Sequence, residues 1–567
     1  MESPRPWFES WPKHLRRALG ARPAPLQRLL EDSAAKSPHR PSLVYQGRSL
    51  DYAEVEGLAS RFASGLIALG LRRGDRVALF VPNIPQFVIS YFGALKAGGV
   101  VVPCSPLYKA KELEYQLADS GSSFLVAASD RVGPNDLYAS VEACRANLPA
   151  LRAVVSASVT DYLPALKKPF AGLRGVKTVA RRETVGFSDL LARSPPLPRS
   201  AVAVDPVRDV AVLQYTGGTT GVSKGAMLSH ANLYANAVQT AAALPLDESD
   251  VAMAALPLFH IYGMTTAMNA PFSVGCSVVL VPRFEVEAVM AEIEKRRVTS
   301  FCGVPTMYIA VVNHPRVGRF DLRTVRSCIS GGAALPVAVR RRFIELTGSS
   351  LVEGYGLTEA SPVTHVNPVG EGAVVKDGSI GIPLADTDAA IVSLEDPSVF
   401  LPVGEVGELA VRGPQVMLGY WNRREETERV MAGGGWLLTG DIATMDEQGY
   451  FFIVDRKKDM IDVSGFKVWP REVEEVLFTH PAVREAAAVG VPDEYRGECV
   501  RAFVVLKPES RGKVTEGEVI EHCRARISTY KAPRSVVFVD ELPKTPVGKV
   551  LRRKLRDQSD WQKDAAG

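Results

Sequence analysis

The chain has 567 residues, too many for one hydrophobic core, so two or more domains are expected. Its 46% apolar and 23% charged content is that of an ordinary globular protein, and 67 basic against 63 acidic residues is too even a balance for a nucleic-acid binder. Seven cysteines form no CxxC pair and no zinc spacing, which reads as reduced thiols in a cytoplasmic protein.

The first residues carry Trp7, Phe8 and Trp11 near Lys13, His14, Arg16 and Arg17. Such a mixture suits a peripheral contact at the inner membrane face or a tail packed on the body, and Pro12 interrupts any helix through it. No secretory apolar run follows. The segments DRVALFVPN, IPQFVISYFGALKAG and GVVVPCS then read as strand, helix and strand. This is the most apolar region, but Pro82, Asn83, Pro85, Gln86 and Lys96 break it short of a membrane span. A Pro-rich loop at 195–200 joins this half to another. There DVAMAALPL, YGMTTAMNAPFSVG, CSVVLVP and VEAVMAEIEKRRV repeat the alternation, which implies parallel sheets covered by helices. From about 386 to 454 the chain turns short-segmented and β-branched (AAIVSL, GELAVRG, GYFFIVD), as expected of a small β-barrel-like subdomain. A small α+β unit follows, with helices expected at 471–478 and 518–527.

The stretch YTGGTTGVSKG, residues 215–225, holds three threonines, four glycines and one lysine. Glycines let the backbone aim several N–H groups at one anion, hydroxyls add neutral donors, and Lys224 supplies the countercharge for a polyphosphate. A Gly-rich turn between a strand and a helix is where phosphates sit. The pattern is not a Walker loop, because Lys224 is preceded by Ser223 and followed by Gly225.

This loop resembles the phosphate loop of the adenylate-forming enzymes: acyl-CoA synthetases, peptide-synthetase adenylation domains and luciferases. GYGLTE (354–359), TGD (439–441), DRKKDMIDVSGFKVWP (455–470) and PKTPVGK (543–549) follow in the family's order. Within the family, LPLFHIYGM, SGGAALP and VDRKKDMI are similar to the phrasing of bacterial and archaeal long-chain fatty-acid–CoA ligases. The resemblance implies an N-terminal domain at 1–455, a hinge at 456–458 and a mobile C-terminal domain at 459–567. It implies ATP, Mg²⁺ and CoA, with Thr216, Gly217, Gly218, Thr219, Thr220, Gly221 and Lys224 on the phosphates. Glu359, beside Thr358, would hold the cation, together with Thr219. Tyr355, within Glu353–Gly356 (Glu353, Gly354, Tyr355, Gly356), would lie against adenine, with Gly331, Gly332 and Ala333 on its other side. Asp441 and Arg456 would take the ribose. Lys549 would reach the acyl carboxylate and α-phosphate, and Gly465 and Phe466 would then admit the pantetheine arm after rotation about Lys458. Asp462 stands where plant aryl-CoA ligases carry lysine and Lys467 where they carry glutamine, so no role is carried over for those two.

Two positions bear on the acid. Gly356 occupies the place where acetate-activating relatives carry tryptophan, and so reads as room for a long acyl tail. His260 falls where amino-acid-activating relatives carry aspartate, and an amino acid there would bury an unpaired ammonium. The expected reaction is ATP-dependent activation of a medium- or long-chain fatty acid followed by transfer to CoA. An aryl-CoA (coumarate-like) ligase and a fatty acyl-AMP ligase loading a carrier protein remain alternatives. The partners are fatty acid, ATP and CoA, with homodimerisation left open.

Overall fold

In the computed structural model the described residues are 5–12, 15–20, 22–132, 135–168, 176–177, 179, 181–199, 201–216, 223–370, 372–464, 466–493, 497–544 and 550–557. The first α/β half is built on an eight-stranded sheet. Its strands run in the order Val185–Gly186, Ala153–Ala157, Ser122–Ala128, Arg76–Phe80, Val100–Pro103, Val210–Thr216, Lys224–Ser229 and Gly419–Tyr420. The first six are parallel, and the last two join antiparallel. The helix Pro85–Lys96 is buried at every position, which explains why its sequence is apolar all round rather than striped.

The second half places Val251–Ala254, Ser277–Leu280 and Pro41–Tyr45 in one parallel run. Single bridges at Ser300 carry it on to the strand Ser327–Ser330, which pairs in parallel with Ser350–Gly356. That strand turns back antiparallel into Val363–Val366. The 386–454 region is a five-stranded antiparallel sheet, with Asp388–Val392, Gly407–Arg412, Trp436–Met445 and Met431–Ala432 in order and Phe451–Arg456 beside Trp436–Met445.

From Ile461 on, the chain has apolar clusters of its own, drawn from residues 461–555. The helices expected there are Pro470–Phe478 and Glu516–Arg524. The second begins earlier than its apolar pattern suggests, because Thr515 and Glu518 form a reciprocal capping box that sets its start.

The N-terminal aromatics are used in packing. Trp7 is fully buried, its ring 6.0 Å from that of Phe451, while Phe8 stacks edge-on with Trp11. Arg5 pairs with Asp388, and the Ser10 hydroxyl donates to the Gln448 carbonyl. The segment is thus a strap over the small β-sheet, with Trp7 turned inward and Phe8 and Trp11 half-buried. Among the described residues no helix is long and apolar enough to cross a membrane. All seven cysteines are free and buried.

Candidate active site

The phosphate-loop motif is closed at its base by a hairpin. Thr216 pairs with Lys224 across the strands Val210–Thr216 and Lys224–Ser229, and the Ser223 hydroxyl donates to the Thr216 carbonyl at 2.5 Å. Gly217, Gly218, Thr219, Thr220 and Gly221 lie outside the described residues. The outer neighbour of this hairpin is Gly419–Tyr420, some two hundred residues downstream, and Trp421 N–H donates to the Gly225 carbonyl at 2.8 Å. That pairing lays the Tyr420 ring 5.2 Å from the Lys224 ammonium. The Tyr420 hydroxyl donates to Glu359 at 2.6 Å, and Met417 N–H donates to the Glu359 carbonyl at 2.8 Å. Burial, then the Glu359 charge, push the Tyr420 phenol far up, so it stays a proton donor. Tyr420 therefore links the loop lysine to the motif glutamate. No sequence motif marked it, because its place depends on a long-range strand pairing.

Glu359 lies in the short turn Thr358–Ala360, which follows directly on the strand Ser350–Gly356. Two positions before that strand's last residue but one, Glu353 accepts from Leu335 N–H at 3.1 Å and so ties down the loop that begins at Gly331. Burial raises the Glu353 carboxyl. Gly331 is packed on the Tyr262 ring, to which an added Cβ would approach within 3.0 Å, and Gly332 has φ +84°. Tyr262 in turn donates its hydroxyl to the Ile329 carbonyl at 2.8 Å. Ala333 is exposed on the same loop. His260 caps the helix Ile261–Met264 by accepting Tyr262 N–H on Nδ1, so the FHIYGM motif sits directly under the SGGA loop.

Tyr355 reaches in a third direction. Its hydroxyl donates to Asp441 Oδ2 at 2.5 Å, while Arg456 Nε lies 3.2 Å from Asp441 Oδ1. Asp441 and Arg456 are direct partners across the strands Trp436–Met445 and Phe451–Arg456, which explains why two motifs fifteen positions apart meet. Asp441 is buried, and two donors occupy part of the capacity of a carboxylate that can accept about four hydrogen bonds. The TGD turn is held from below by Glu408, whose Oε1 accepts Gly440 N–H at 3.0 Å and whose Oε2 lies 2.8 Å from Lys457. The stretch 353–359 thus touches three separate parts: the Gly331 loop, the Asp441–Arg456 pair and the Tyr420–Lys224 pair.

The backbone gives a further reason for glycine at position 356. A Cβ on Gly356 would lie 2.2 Å from the Pro362 carbonyl oxygen and 3.1 Å from the Val363 Cα. Glycine is needed there because the backbone of the hairpin's return strand presses against it, so the residue does not by itself report an open acyl tunnel.

Gly465 and Lys549 lie outside the described residues. Phe466 is 59% exposed, and its ring lies 5.0 Å from that of Tyr530. In the basic run after the PVGK motif Arg553 and Lys554 are exposed, while Arg552 makes a two-pronged pair with Glu474, and Arg552 and Arg556 both reach Asp459. Among the described residues no three His, Cys, Asp or Glu side chains are placed to hold a metal ion by themselves. A cation at Glu359 would therefore take most of its ligands from water and phosphate oxygens, a donor set that suits Mg²⁺.

The AMP-binding enzyme family model matches residues 30–421, and the AMP-binding enzyme C-terminal domain matches 472–549. The long-chain-fatty-acid–CoA ligase of Bacillus subtilis is 42% identical over 98% of this chain and 99% of its own length. A feruloyl-CoA synthase of Amycolatopsis is 37% identical over 92% of this chain and 96% of its own. ATP-bound MatB from Rhodopseudomonas palustris, at 30% identity, covers 96% of this chain and all of its own with a TM-score of 0.82. The apo form of that same enzyme, with the same coverage, gives 0.72.

Proposed function

The chain belongs to the AMP-binding enzyme family, and from that premise we propose that it is an ATP-dependent ligase joining long-chain fatty acids to CoA through an acyl-adenylate. The observation that carries the reading is the convergence on 353–359 of the three parts a nucleotide-activating site needs. The 42% identity to a long-chain-fatty-acid–CoA ligase over nearly the whole chain supports the choice of acid.

A carboxylate is a poor electrophile, since its charge repels nucleophiles and oxide is a hopeless leaving group. In the first half-reaction a carboxylate oxygen attacks the α-phosphorus of ATP, forming a C–O–P anhydride and expelling pyrophosphate. Lys224 and the Thr216–Gly221 loop hold the phosphates, and Tyr355 with the Gly331–Ala333 loop holds adenine. Asp441 accepts the ribose hydroxyls in its remaining sites while Arg456 fixes its direction. Mg²⁺ at Glu359 would offset charge on the phosphates, and the Tyr420 hydroxyl sets that carboxylate's direction. Lys549 would offset the repulsion between the two anions; at ~4 Å and an effective dielectric of about 20, one such charge is worth about 4 kcal/mol.

In the second half-reaction the CoA sulfur attacks the acyl carbon, the C–O bond to phosphate breaks, and AMP leaves. Rotation of residues 459–567 about the hinge at 456–458 withdraws Lys549 and brings in Gly465 and Phe466 beside the pantetheine arm. His260, held under the Gly331 loop by its cap on Tyr262, carries no carboxylate to attract an amino group.

The feruloyl-CoA synthase relative keeps an aryl acid as the second reading. A panel of alkyl acids from acetate to stearate together with ferulate and benzoate, run with ATP and CoA while AMP and thioester are followed, separates the two. Highest kcat/KM on long alkyl acids is expected. Preference for the aryl acids would replace the reading, and acyl-AMP that accumulates without thioester would indicate a carrier-protein acceptor.

A further inference from the structure

The helix Pro470–Phe478 starts without help from its own N-cap residue, since Trp469 offers no side-chain acceptor. The N-terminal amides of a helix need acceptors from somewhere. Here Arg471 N–H donates at 2.7 Å to Oδ2 of Asp455, a residue on the far side of the hinge. Asp455 is only 4% exposed, and its Oδ1 takes Arg456 N–H, also at 2.7 Å. The Arg471 guanidinium adds a second tie over the same gap, with Nη1 donating to the Ile453 carbonyl at 2.8 Å.

These bonds join residues 453 and 455, upstream of the hinge, to residue 471, downstream of it. Rotation about residue 458 must break them, so they belong to one orientation of the C-terminal domain. That orientation also governs the PVGK loop. Glu474 on the same helix grips Arg552, and Arg552 and Arg556 hold Asp459; both arginines lie in the helix Arg552–Asp557, just after Lys549. Fixing Pro470–Phe478 therefore fixes the base of the loop that carries the lysine. The whole chain matches ATP-bound MatB better than the apo form of the same enzyme, 0.82 against 0.72.

We propose that Asp455 is a positioning residue for the adenylation half-reaction: it caps the helix Pro470–Phe478 across the hinge and holds the domain that carries Lys549 in its ATP-side orientation. The proposal rests on the two-orientation reading given above. Loss of a helix cap lowers the weight of the capped state about tenfold. Asp455→Ala should then slow single-turnover acyl-adenylate formation by up to that factor, the full effect applying where the capped state is the minor one. Conversion of supplied acyl-AMP and CoA to thioester should be undiminished. Asp455→Asn, which keeps a carbonyl acceptor for Arg471 N–H, should recover most of the lost rate. Arg471→Met leaves the amide bond and removes the guanidinium tie, so a fall of about threefold in the same half-reaction is expected, as for one ordinary hydrogen bond.

An equal fall in both half-reactions across these variants, or a fall confined to thioester formation, would overturn the proposal. Lys549→Ala, run alongside, tests the underlying reading separately. If it spares thioester formation while Asp455→Ala, Asp455→Asn and Arg471→Met show no such split, the cap alone is wrong. If Lys549→Ala fails to separate the half-reactions, the two-orientation reading falls instead.

Discussion

The nucleotide side of the site and the C-terminal domain are built on different principles. On the nucleotide side, Glu353 is engaged from the Gly331 loop and Tyr355 and Glu359 from two other strands, and those partners are themselves braced by buried groups such as Glu408 and the Tyr262 ring. The C-terminal domain instead has its own apolar clusters, and its tie through Arg471 is a pair of hydrogen bonds to a strand end. Preorganised donors are costly to reorient during a reaction, whereas a domain held by a few hydrogen bonds can change places. The contrast suits a reaction in which one nucleotide must stay still while two chemistries are brought to it in turn.

The largest effect is expected of Lys549→Ala. If the lysine acts only from a C-terminal domain that rotates as proposed, adenylation should fall about a hundred- to a thousandfold, the scale of losing one preorganised transition-state contact. Pyrophosphate exchange measures it, and thioester formation from supplied acyl-AMP should persist.

Acid tests the rigid side. His365 is buried between Tyr355 and Phe451, and burial pushes its pKa down to about 3. The unfolded chain binds that proton below about 6.5, whereas the folded protein resists until about 3. Stability from this histidine is therefore complete above pH 6.5 and lost as pH falls through that window, by about 2 kcal/mol at pH 5. His230, lowered to about 4 by burial, acts in the same direction. Thermal melts at pH 7.5 and 5 on wild type and His365→Gln should show a smaller acid-induced drop in the variant.

Gly356→Ala sharpens the same point by steric means. With its Cβ directed at the Pro362 carbonyl, the methyl should destabilise the folded protein by about 1–3 kcal/mol in urea titrations. A chain-length profile shifted toward short acids at unchanged stability would restore the tunnel reading.

The smallest effect is expected from Tyr420→Phe, which removes the hydroxyl on Glu359 and leaves the ring over Lys224. One ordinary hydrogen bond is worth about 0.5–1.5 kcal/mol, so kcat/KM for ATP should fall about two- to tenfold. The Mg²⁺ concentration for half-maximal rate should rise with it.

Much of this site was legible in the residues alone, because its motifs are local. A Gly- and Thr-rich turn with a lysine, a GYGLTE stretch and a TGD turn each carry their chemistry within a few positions. The α/β alternation, the change to short β-segments near 386 and the separate C-terminal unit follow from hydrophobic period and turn chemistry in the same way. The tertiary structure decided what depends on distant pairing. Strand Gly419–Tyr420 beside Lys224–Ser229 made Tyr420 the link between lysine and glutamate, and the packing of Pro362 on Gly356 gave that glycine a steric purpose unrelated to its motif. The aromatic N-terminus became a strap through its burial on Phe451, and the basic run after PVGK found buried carboxylates. Asp455 became the cap of a helix sixteen residues downstream. Local sequence specifies which groups can do chemistry, because that follows from functional groups and short-range backbone preference. Which of them meet is decided by register and burial, terms that sum over the whole fold.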